Sequence, residues 1–280
     1  MRRRQRAAVL PGAALAALLL AAGAASADPG SGALEQLFGD YEGCALLLER
    51  DRHHERHLEL GASQCRTARS PCSTFKMPNA LIGLETGVVS GPHDVRRWDG
   101  VQRPRRESNR DHDLESAFRQ SIVWYFQALA RDVGEARMQT WIDRLGYGNR
   151  DLSGGIDRFW LGSSLAIDAH GQLDLLRRLH HGALPFRPAH QQTVRELMRQ
   201  DSPLPGTLHG KTGSCLNGDA PDHGWFVGWV DWADGTASNP RTTGFAVNVA
   251  GDGANGAAAR KMALELLSRP LPVAPRESND

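Results

Sequence analysis

The chain has 280 residues, of which 40% are hydrophobic and 23% are charged. This length is enough to bury a core and shape a cleft, and the composition excludes a disordered chain and a polytopic membrane protein. The 33 basic and 32 acidic residues leave a formal net charge of +1, which gives no support to nucleic-acid binding.

The first 27 residues have the pattern of a cleavable signal peptide. Arginines at positions 2, 3, 4 and 6 precede an alanine and leucine run over residues 7–24, and Ala25-Ser26-Ala27 has the small-x-small form of a signal-peptidase site. The run is interrupted by proline and glycine and is short for a bilayer span, so a retained anchor is the weaker interpretation. We expect cleavage after Ala27, a periplasmic protein and no stable membrane association afterwards.

Four cysteines in an exported chain favour disulfide bonds. Residues 44–50 and 55–62 are predicted as two strands around a turn near His54, and this hairpin places Cys44 opposite Cys65. We therefore predict a bond between Cys44 and Cys65, and the state of the other two cysteines stays open. No two cysteines have the Cys-x-x-Cys spacing typical of zinc sites, so we expect no metal.

The rest of the sequence places strands at both ends and helices between them. This order predicts an α+β fold, with an antiparallel sheet built from N- and C-terminal strands, flanking helices and an inserted all-α lobe. We place a single domain at residues 28–280, with the sheet lobe at about 28–72 and 206–280 and the helical lobe at about 73–205. Helical patterns cover residues 32–39, 73–86, 114–133, 135–145, 172–180, 189–200 and 255–269. Strand patterns cover residues 206–212, 224–232 and 242–249. Residues 91–113 are predicted to be a polar surface stretch, and residues 147–166 an irregular segment.

Lysine is rare in this chain, with only three lysines among the 33 basic residues. Where arginine supplies the surface charge, a lysine is a candidate for work that arginine cannot do, such as losing its proton in an apolar pocket. Lys76 closes a Ser-x-x-Lys motif that begins at Ser73, and Lys211 opens a Lys-Thr-Gly motif. Lys261 lies on the predicted C-terminal helix and is interpreted as ordinary surface charge.

The spacing of Ser73 and Lys76 places both side chains on one face of a helical turn. A serine hydroxyl needs a base to become a nucleophile, and an ammonium group becomes that base only when burial lowers its pKa. Phe75, Val123 and Trp160 are candidates for the apolar wall. An isolated Ser-x-x-Lys motif is more often a capping serine beside an exposed lysine, so the motif needs further support.

Further motifs follow in a fixed order. Their order and spacing resemble those of the serine β-lactamase and penicillin-binding superfamily, over about residues 41–267. Within it, the chain resembles a class D β-lactamase, or oxacillinase, because Ser-x-Val replaces the Ser-Asp-Asn of class A and Tyr-Gly-Asn is characteristic of class D. The motifs are Ser73-x-x-Lys76, Ser121-Ile122-Val123, Tyr147-Gly148-Asn149, Phe159-Trp160-Leu161, Lys211-Thr212-Gly213 and Gly224-Trp225-Phe226-Val227-Gly228-Trp229-Val230.

The resemblance implies hydrolysis of β-lactam antibiotics through an acyl-enzyme on Ser73. It implies that Lys76 reacts with CO2 to become N6-carboxylysine, the general base of both acylation and deacylation, held by the indole N–H of Trp160. CO2 or bicarbonate is the only additional requirement, and no other cofactor is expected. The segment between Glu135 and Glu196 contains no glutamate that could replace this base, as a glutamate does in class A.

Other roles also follow from the resemblance. Ser121 is expected to pass a proton to the lactam nitrogen, with Lys211 acting on that hydroxyl electrostatically. Thr212 and Arg260 match the groups that receive the substrate carboxylate, and the backbone N–H groups of Ser73 and Ser214 match the oxyanion hole. The substrate-binding residues implied in this way are Thr212, Gly213, Ser214, Arg260, Val123 and Leu161.

Two alternatives share the same motifs. A β-lactam sensor domain keeps the acyl-enzyme, and a penicillin-binding transpeptidase or carboxypeptidase acts on cell-wall peptide. Gly162 departs from the family pattern, because many relatives have glutamate after Phe-Trp-Leu, and this places the efficiency of deacylation in question. The expected binding partners are small-molecule β-lactams, and we expect no binding to nucleic acid. The protein is expected to be a monomer or a homodimer.

Overall fold

The computed structural model describes residues 36–217 and 220–271, so the predicted signal peptide lies outside the described residues. Within these ranges the strands form a six-stranded sheet and a two-stranded sheet, both antiparallel. The strands are β1 (Glu42–Arg50), β2 (Glu55–Leu60), β3 (Val95–Arg96), β4 (His112–Asp113), β5 (Arg199–Gln200), β6 (Gly206–Asn217), β7 (Ala220–Trp232) and β8 (Thr242–Ala250).

Most of the helices lie in the chain between the first strands and the last. No described helix combines the length and the apolar character that a membrane span requires. The α-helices are α1 (Ala62–Cys65), α2 (Lys76–Glu85), α3 (Leu114–Arg119), α4 (Val123–Val133), α5 (Glu135–Leu145), α6 (Ala169–His180), α7 (Pro188–Met198) and α8 (Gly256–Leu267), and short 3-10 turns occupy Gln36–Phe38, Cys72–Phe75 and Arg106–Ser108.

The large sheet joins the two ends of the described chain. Its strand order is β2-β1-β8-β7-β6-β5, so β1 pairs with β8. In this pairing Cys44 lies opposite Asn248, and Leu48 lies opposite Gly244. The predicted α+β fold, with an antiparallel sheet built from N- and C-terminal strands and with helices inserted between them, is confirmed.

The two faces of this sheet bury different cores, because successive residues of a strand point to opposite faces. Val227 and Trp229 belong to a core that the sheet shares with the helices between β2 and β5, including α6. Phe226 and Val230, which alternate with them on β7, belong to a second core under α8. The sheet is therefore covered by helices on both faces, and β6, which carries the Lys-Thr-Gly motif, lies between β7 and β5.

Both cysteine pairs form disulfides. The predicted bond between Cys44 and Cys65 is present, with the Cα atoms 4.9 Å apart. The expected strand geometry is wrong, however, because the register Ala45↔Leu60 places Gly61 opposite Cys44. The single turn of α1 brings Cys65 back to β1 instead.

Four predicted elements differ from the observed ones. The single helix over residues 114–133 is broken at Ser121, whose φ of 55° lies in the left-handed region and cannot continue a right-handed helix. The helix predicted over 189–200 ends at Met198, since the next two residues form β5 and pair with β6. The strands predicted over 206–212 and 224–232 extend further toward each other, to Asn217 and from Ala220.

The polar stretch over residues 91–113 is more than a surface connection. It contains the β3–β4 pair and the buried His112, which is 2% exposed. The ring nitrogens of His112 lie 2.7 Å from the Glu107 carbonyl and 3.1 Å from the Ser116 hydroxyl. The indole N–H of Trp124 also donates to the Ser108 carbonyl at 2.8 Å. These contacts fix the segment against the start of α3 and α4.

Candidate active site

The turn before α2 fixes the position of Ser73. The Pro71 carbonyl accepts hydrogen bonds from the backbone N–H of Thr74 at 3.1 Å and from its hydroxyl at 2.8 Å. Cys72 has a φ of 46°, an uncommon conformation for a residue with a side chain, and its disulfide to Cys215 constrains it. The turn runs directly into α2, so Ser73 stands on a rigid helix start.

Lys76 lies beside this serine at the first position of α2. Its Nζ is 2.8 Å from Ser73 Oγ, and the side chain is 0% exposed. The ring centroid of Phe126 is 5.4 Å from the amine. Burial lowers the pKa of Lys76 well below its usual range, and the charges of Lys211 and Arg105 lower it further. A neutral amine at this distance can accept the proton of the serine hydroxyl.

A second buried lysine contacts a second serine. Lys211 Nζ donates to Ser121 Oγ at 3.1 Å and to the Thr212 carbonyl at 2.9 Å, and its side chain is 4% exposed. Burial lowers the pKa of Lys211 to about 7, with a contribution from the charge of Arg105. The helix break at Ser121 presents its hydroxyl to this amine. The arrangement can move a proton through Ser121 near neutral pH.

Gly213 allows β6 to approach the turn that carries Ser73 closely. A Cβ atom at this position would lie 2.8 Å from the Pro71 carbonyl oxygen and 3.3 Å from the Thr74 nitrogen. Any side chain there would force β6 away from Ser73. The next residue, Ser214, accepts a hydrogen bond from the backbone N–H of Gly256 at 2.9 Å, which fixes β6 to the start of α8.

A groove of about 340 Å³ extends along β6 from Lys211 to Arg260. Arg260 comes from α8, and its guanidinium donates to the Gln200 side chain at 3.4 Å and to the Asp201 carbonyl at 3.3 Å. Thr212 lines the same groove. The groove thus combines positive charge with a hydroxyl, a combination suited to binding a carboxylate.

Trp160 is 0% exposed and lies against the start of α2. Its ring stacks on Phe75 with the centroids 5.5 Å apart. Its Nε1 is buried and has no hydrogen-bond partner among the described residues. Asn149 stabilises the loop that carries Trp160, because its amide donates to the Ser164 carbonyl at 2.8 Å and its Oδ1 accepts from the Ala166 N–H at 3.0 Å.

The two aliphatic residues expected around the lysine differ in burial. Leu161 is partly buried and packs against the core of the helical segment. Val123 begins α4 and is 38% exposed, whereas Phe126, one turn later, is buried and faces Lys76. The aromatic ring therefore supplies an apolar contact that the sequence interpretation assigned to Val123.

The sequence interpretation missed three contributors to this site. Phe126 follows Val123 by three residues, a spacing that places both residues on the same side of a helix. This spacing could have identified Phe126 as a second apolar neighbour of Lys76. Arg105 influences the pKa of both lysines, but nothing distinguishes it among the arginines of residues 91–113. The bond between Cys72 and Cys215 joins positions far apart in the sequence, so no local pattern indicates it.

Comparison with known proteins identifies the family. Residues 22–268 match the family described as penicillin binding protein transpeptidase domain. The chain is 44% identical over 199 residues to the probable β-lactamase YbxI of Bacillus subtilis (strain 168), which covers 71% of this chain and 73% of that protein. It is 41% identical over 197 residues to β-lactamase OXA-48 of Klebsiella pneumoniae, covering 70% and 74%. The chain belongs to the class D serine β-lactamases.

The fold of this class D β-lactamase agrees with solved relatives. A crystal structure of a class D β-lactamase from Bacillus subtilis superposes with a TM-score of 0.75 at 40% identity, over 84% of this chain and 94% of the relative. The resemblance to class D enzymes stated from the motifs is confirmed, and the protein is a β-lactam hydrolase.

Proposed function

We propose that this class D β-lactamase hydrolyses its substrates through an acyl-enzyme on Ser73 and that Lys76, in its N6-carboxylated form, is the general base of both half-reactions. The observation that carries the proposal is the 2.8 Å distance between Lys76 Nζ and Ser73 Oγ, with the amine completely buried. Burial lowers the pKa of Lys76 and so favours the neutral amine, and only a neutral amine attacks CO2. A bond then forms between Nζ and the carbon of CO2, and the amine releases one proton.

The indole of Trp160 supports the carboxylated form. Its buried N–H, without a partner among the described residues, is a donor that a carboxylate on Lys76 would satisfy. Phe75, on which the indole stacks, directly precedes Lys76 in the chain. Carboxylation would also replace an uncompensated buried amine by a hydrogen-bonded carboxylate, and Lys211 and Arg105 supply positive charge nearby.

In acylation, Lys76 accepts the Ser73 proton while the serine oxygen attacks the lactam carbonyl. The backbone N–H groups of Ser73 and Ser214 are the proposed donors to the developing oxyanion. As the C–N bond breaks, Ser121 delivers its proton to the lactam nitrogen, and Lys211 at 3.1 Å replaces that proton. The result is an ester on Ser73 and an opened ring.

Substrate orientation is assigned to the groove on β6. Thr212 and Arg260 are proposed to bind the substrate carboxylate, and Gly213 permits the backbone to approach it. Before deacylation, the proton that Lys76 took from Ser73 passes to Lys211, which gave one up through Ser121. Lys76 in the carboxylated form then takes a proton from the attacking water and returns it to the serine oxygen as that oxygen leaves. Because one base serves both steps, no glutamate is needed.

We also propose that the protein is exported to the periplasm, with cleavage after Ala27. Two disulfides, Cys44–Cys65 and Cys72–Cys215, support an oxidising compartment. N-terminal sequencing of protein recovered from the periplasm should begin at Asp28. A protein that keeps residues 1–27 contradicts this proposal.

The reaction is tested with nitrocefin, a chromogenic β-lactam, in bicarbonate-free buffer and after adding bicarbonate. We expect many turnovers per enzyme, loss of activity at about pH 5 without bicarbonate, and recovery on its addition, because acid protonates the amine. Lys76→Ala should abolish deacylation, whereas Lys261→Ala, at an exposed lysine of α8, should not change turnover. A single acylation without turnover in the wild type would instead favour a sensor or a transpeptidase.

A further inference from the structure

The hydroxyl of Ser70 connects the Trp160 loop to the nucleophile segment. Ser70 Oγ donates to the Trp160 carbonyl at 2.9 Å and accepts from the Gly162 N–H at 3.0 Å. Ser70 precedes the nucleophile by three residues and is half-buried. One side chain therefore holds two backbone groups of a loop that lies some 90 residues away in the chain.

The backbone of Ser70 is in turn anchored to β7. Its carbonyl accepts hydrogen bonds from His223 Nε2 at 2.9 Å and from Trp225 Nε1 at 3.0 Å. The other ring nitrogen of His223 lies 2.8 Å from the Asp222 carboxylate, which fixes the orientation of the imidazole. Because the carbonyl is held by two donors on one strand, the Ser70 hydroxyl has a defined position from which to hold the loop.

Gly162 contributes no side chain to the packing of this loop. It has a φ of 67° and no side chain, so it cannot fix the loop through contacts of its own. The backbone bonds near it, such as Leu161 N–H to the Arg158 carbonyl at 2.8 Å, act within the loop. The bonds to Ser70 join the loop at Trp160 and Gly162 to the segment carrying Ser73, and the backbone pair of Arg69 and Ile167 joins the end of the loop to the same segment.

We propose that Ser70 is a positioning residue for β-lactam hydrolysis, which acts by holding the Trp160 main chain so that the indole N–H faces the carboxylated Lys76. This inference rests on the proposed carboxylation of Lys76. Ser70 itself does not touch the substrate in this scheme. Its hydroxyl determines how long the carboxyl group stays on the lysine, and therefore how much bicarbonate the enzyme needs.

The substitution that tests this is Ser70→Ala. It keeps the backbone carbonyl and its two donors on β7, and it removes only the hydroxyl, so the Trp160 carbonyl and the Gly162 N–H lose a partner. An unmade hydrogen bond in a protein interior changes an equilibrium by roughly fivefold to tenfold. We expect the bicarbonate concentration that restores half of the nitrocefin turnover to rise about fivefold or more. Ser70→Thr, which keeps the hydroxyl, should restore the wild-type requirement.

Ser164→Ala provides a matched control. Ser164 Oγ also bridges two backbone groups, since it accepts from the Gly154 N–H at 2.9 Å and donates to the Asp151 carbonyl at 2.9 Å. It lies in the same loop but does not contact Trp160 through its hydroxyl. We expect Ser164→Ala to lower thermal stability as much as Ser70→Ala and to leave the bicarbonate requirement unchanged.

A spectroscopic readout separates this inference from the proposed function. Protein equilibrated with 13C-labelled bicarbonate should show a carbamate carbon signal by NMR, and Ser70→Ala should show a weaker signal than wild type at equal bicarbonate. A wild-type signal that Ser70→Ala leaves unchanged overturns the positioning role alone. A wild type with neither the signal nor bicarbonate dependence overturns the carboxylation of Lys76, and the positioning role with it.

Discussion

Cys72, which directly precedes the proposed nucleophile, is joined by a disulfide to Cys215 on β6, with the Cα atoms 5.7 Å apart. Both proposed oxyanion donors are backbone N–H groups next to these cysteines, at Ser73 and Ser214. The bond therefore limits the separation of the two donors. It also closes a loop of 143 residues, whereas the bond between Cys44 and Cys65 closes a loop of only 21.

We predict that removing the Cys72–Cys215 bond affects both stability and chemistry. In the chain-entropy description, the longer loop corresponds to about 4–5 kcal/mol of stability and the shorter one to about 3 kcal/mol. The double variant Cys72→Ser/Cys215→Ser should unfold at lower denaturant concentration and should also acylate more slowly, because the oxyanion donors are no longer held together.

The matched control is Cys44→Ser/Cys65→Ser, whose bond joins β1 to α1 and adjoins neither proposed oxyanion donor. This control should lose stability and keep its acylation rate per folded molecule. Stopped-flow acylation with nitrocefin and urea unfolding measure the two effects separately. Equal acylation rates in the two double variants would show that the active-site bond serves stability alone.

A second prediction concerns Lys211 and the pH dependence of stability. Its pKa is about 7 in the folded protein, against a usual value of 10.5. Between these two pH values the unfolded chain binds a proton that the folded protein does not, so the free energy of unfolding rises with pH across this window. Below about pH 7 both states are protonated, and the cost of the buried charge is fully present.

Lys211→Met removes this cost. Each unit of pKa corresponds to about 1.4 kcal/mol, so at pH 6 the variant should be more stable than wild type by a few kcal/mol and should lack activity. The difference should shrink as the pH rises from about 7 to 10. Urea unfolding at several pH values measures it, with Lys261→Met as an exposed-lysine control. A difference that does not vary with pH would contradict the lowered pKa.

Much of this site could be predicted because its chemistry depends on short local motifs. The Ser73 and Lys76 pair follows from one helical turn, and two of the three lysines lie in motifs. The break at Ser121 was not predictable in the same way, since the residues on both sides continue a helical pattern and no residue type there indicates the positive φ. The sequence motif indicated a role for Ser121, but the helical pattern of residues 114–133 predicted the wrong backbone conformation for this residue.

Contacts between distant segments were the least predictable part. The Cys44–Cys65 bond was inferred from a hairpin, although a helical turn after β2 forms it, so a correct pair came from an incorrect geometry. The influence of Arg105 on both lysines depends on how residues 91–113 pack near them. The bonds of Ser70 depend on how β7 and the Trp160 loop pack around that residue. Periodicity along one segment contains no information about such packing.

A third prediction tests the close approach at Gly213. Gly213→Ala places a Cβ 2.8 Å from the Pro71 carbonyl oxygen, which is closer than real Cβ atoms come to a backbone atom. Because the Pro71 oxygen and the nearby Thr74 nitrogen are backbone atoms, β6 must move away from the turn that carries Ser73. We expect acylation to fall at least about tenfold, since misplaced oxyanion donors lose much of their effect. Gly91→Ala is the control, as a Cβ there has no neighbour within 4 Å and should leave the rate unchanged.

The fourth prediction separates the two contributions of Trp160, its ring and its N–H group. Trp160→Phe keeps an aromatic ring to stack on Phe75 and removes the buried Nε1 donor. If this donor holds the carboxylated Lys76, the variant should acylate and then deacylate slowly, so that the acyl-enzyme accumulates. Intact-protein mass spectrometry after a brief exposure to a penicillin should show the added mass persisting for much longer than in wild type. Excess bicarbonate should shorten the lifetime of this acyl-enzyme.

A matched Trp141→Phe variant, at a half-buried tryptophan that stacks on Phe186, should lose the added mass as fast as wild type. Fast deacylation in Trp160→Phe at low bicarbonate would show that the indole N–H has no part in the reaction.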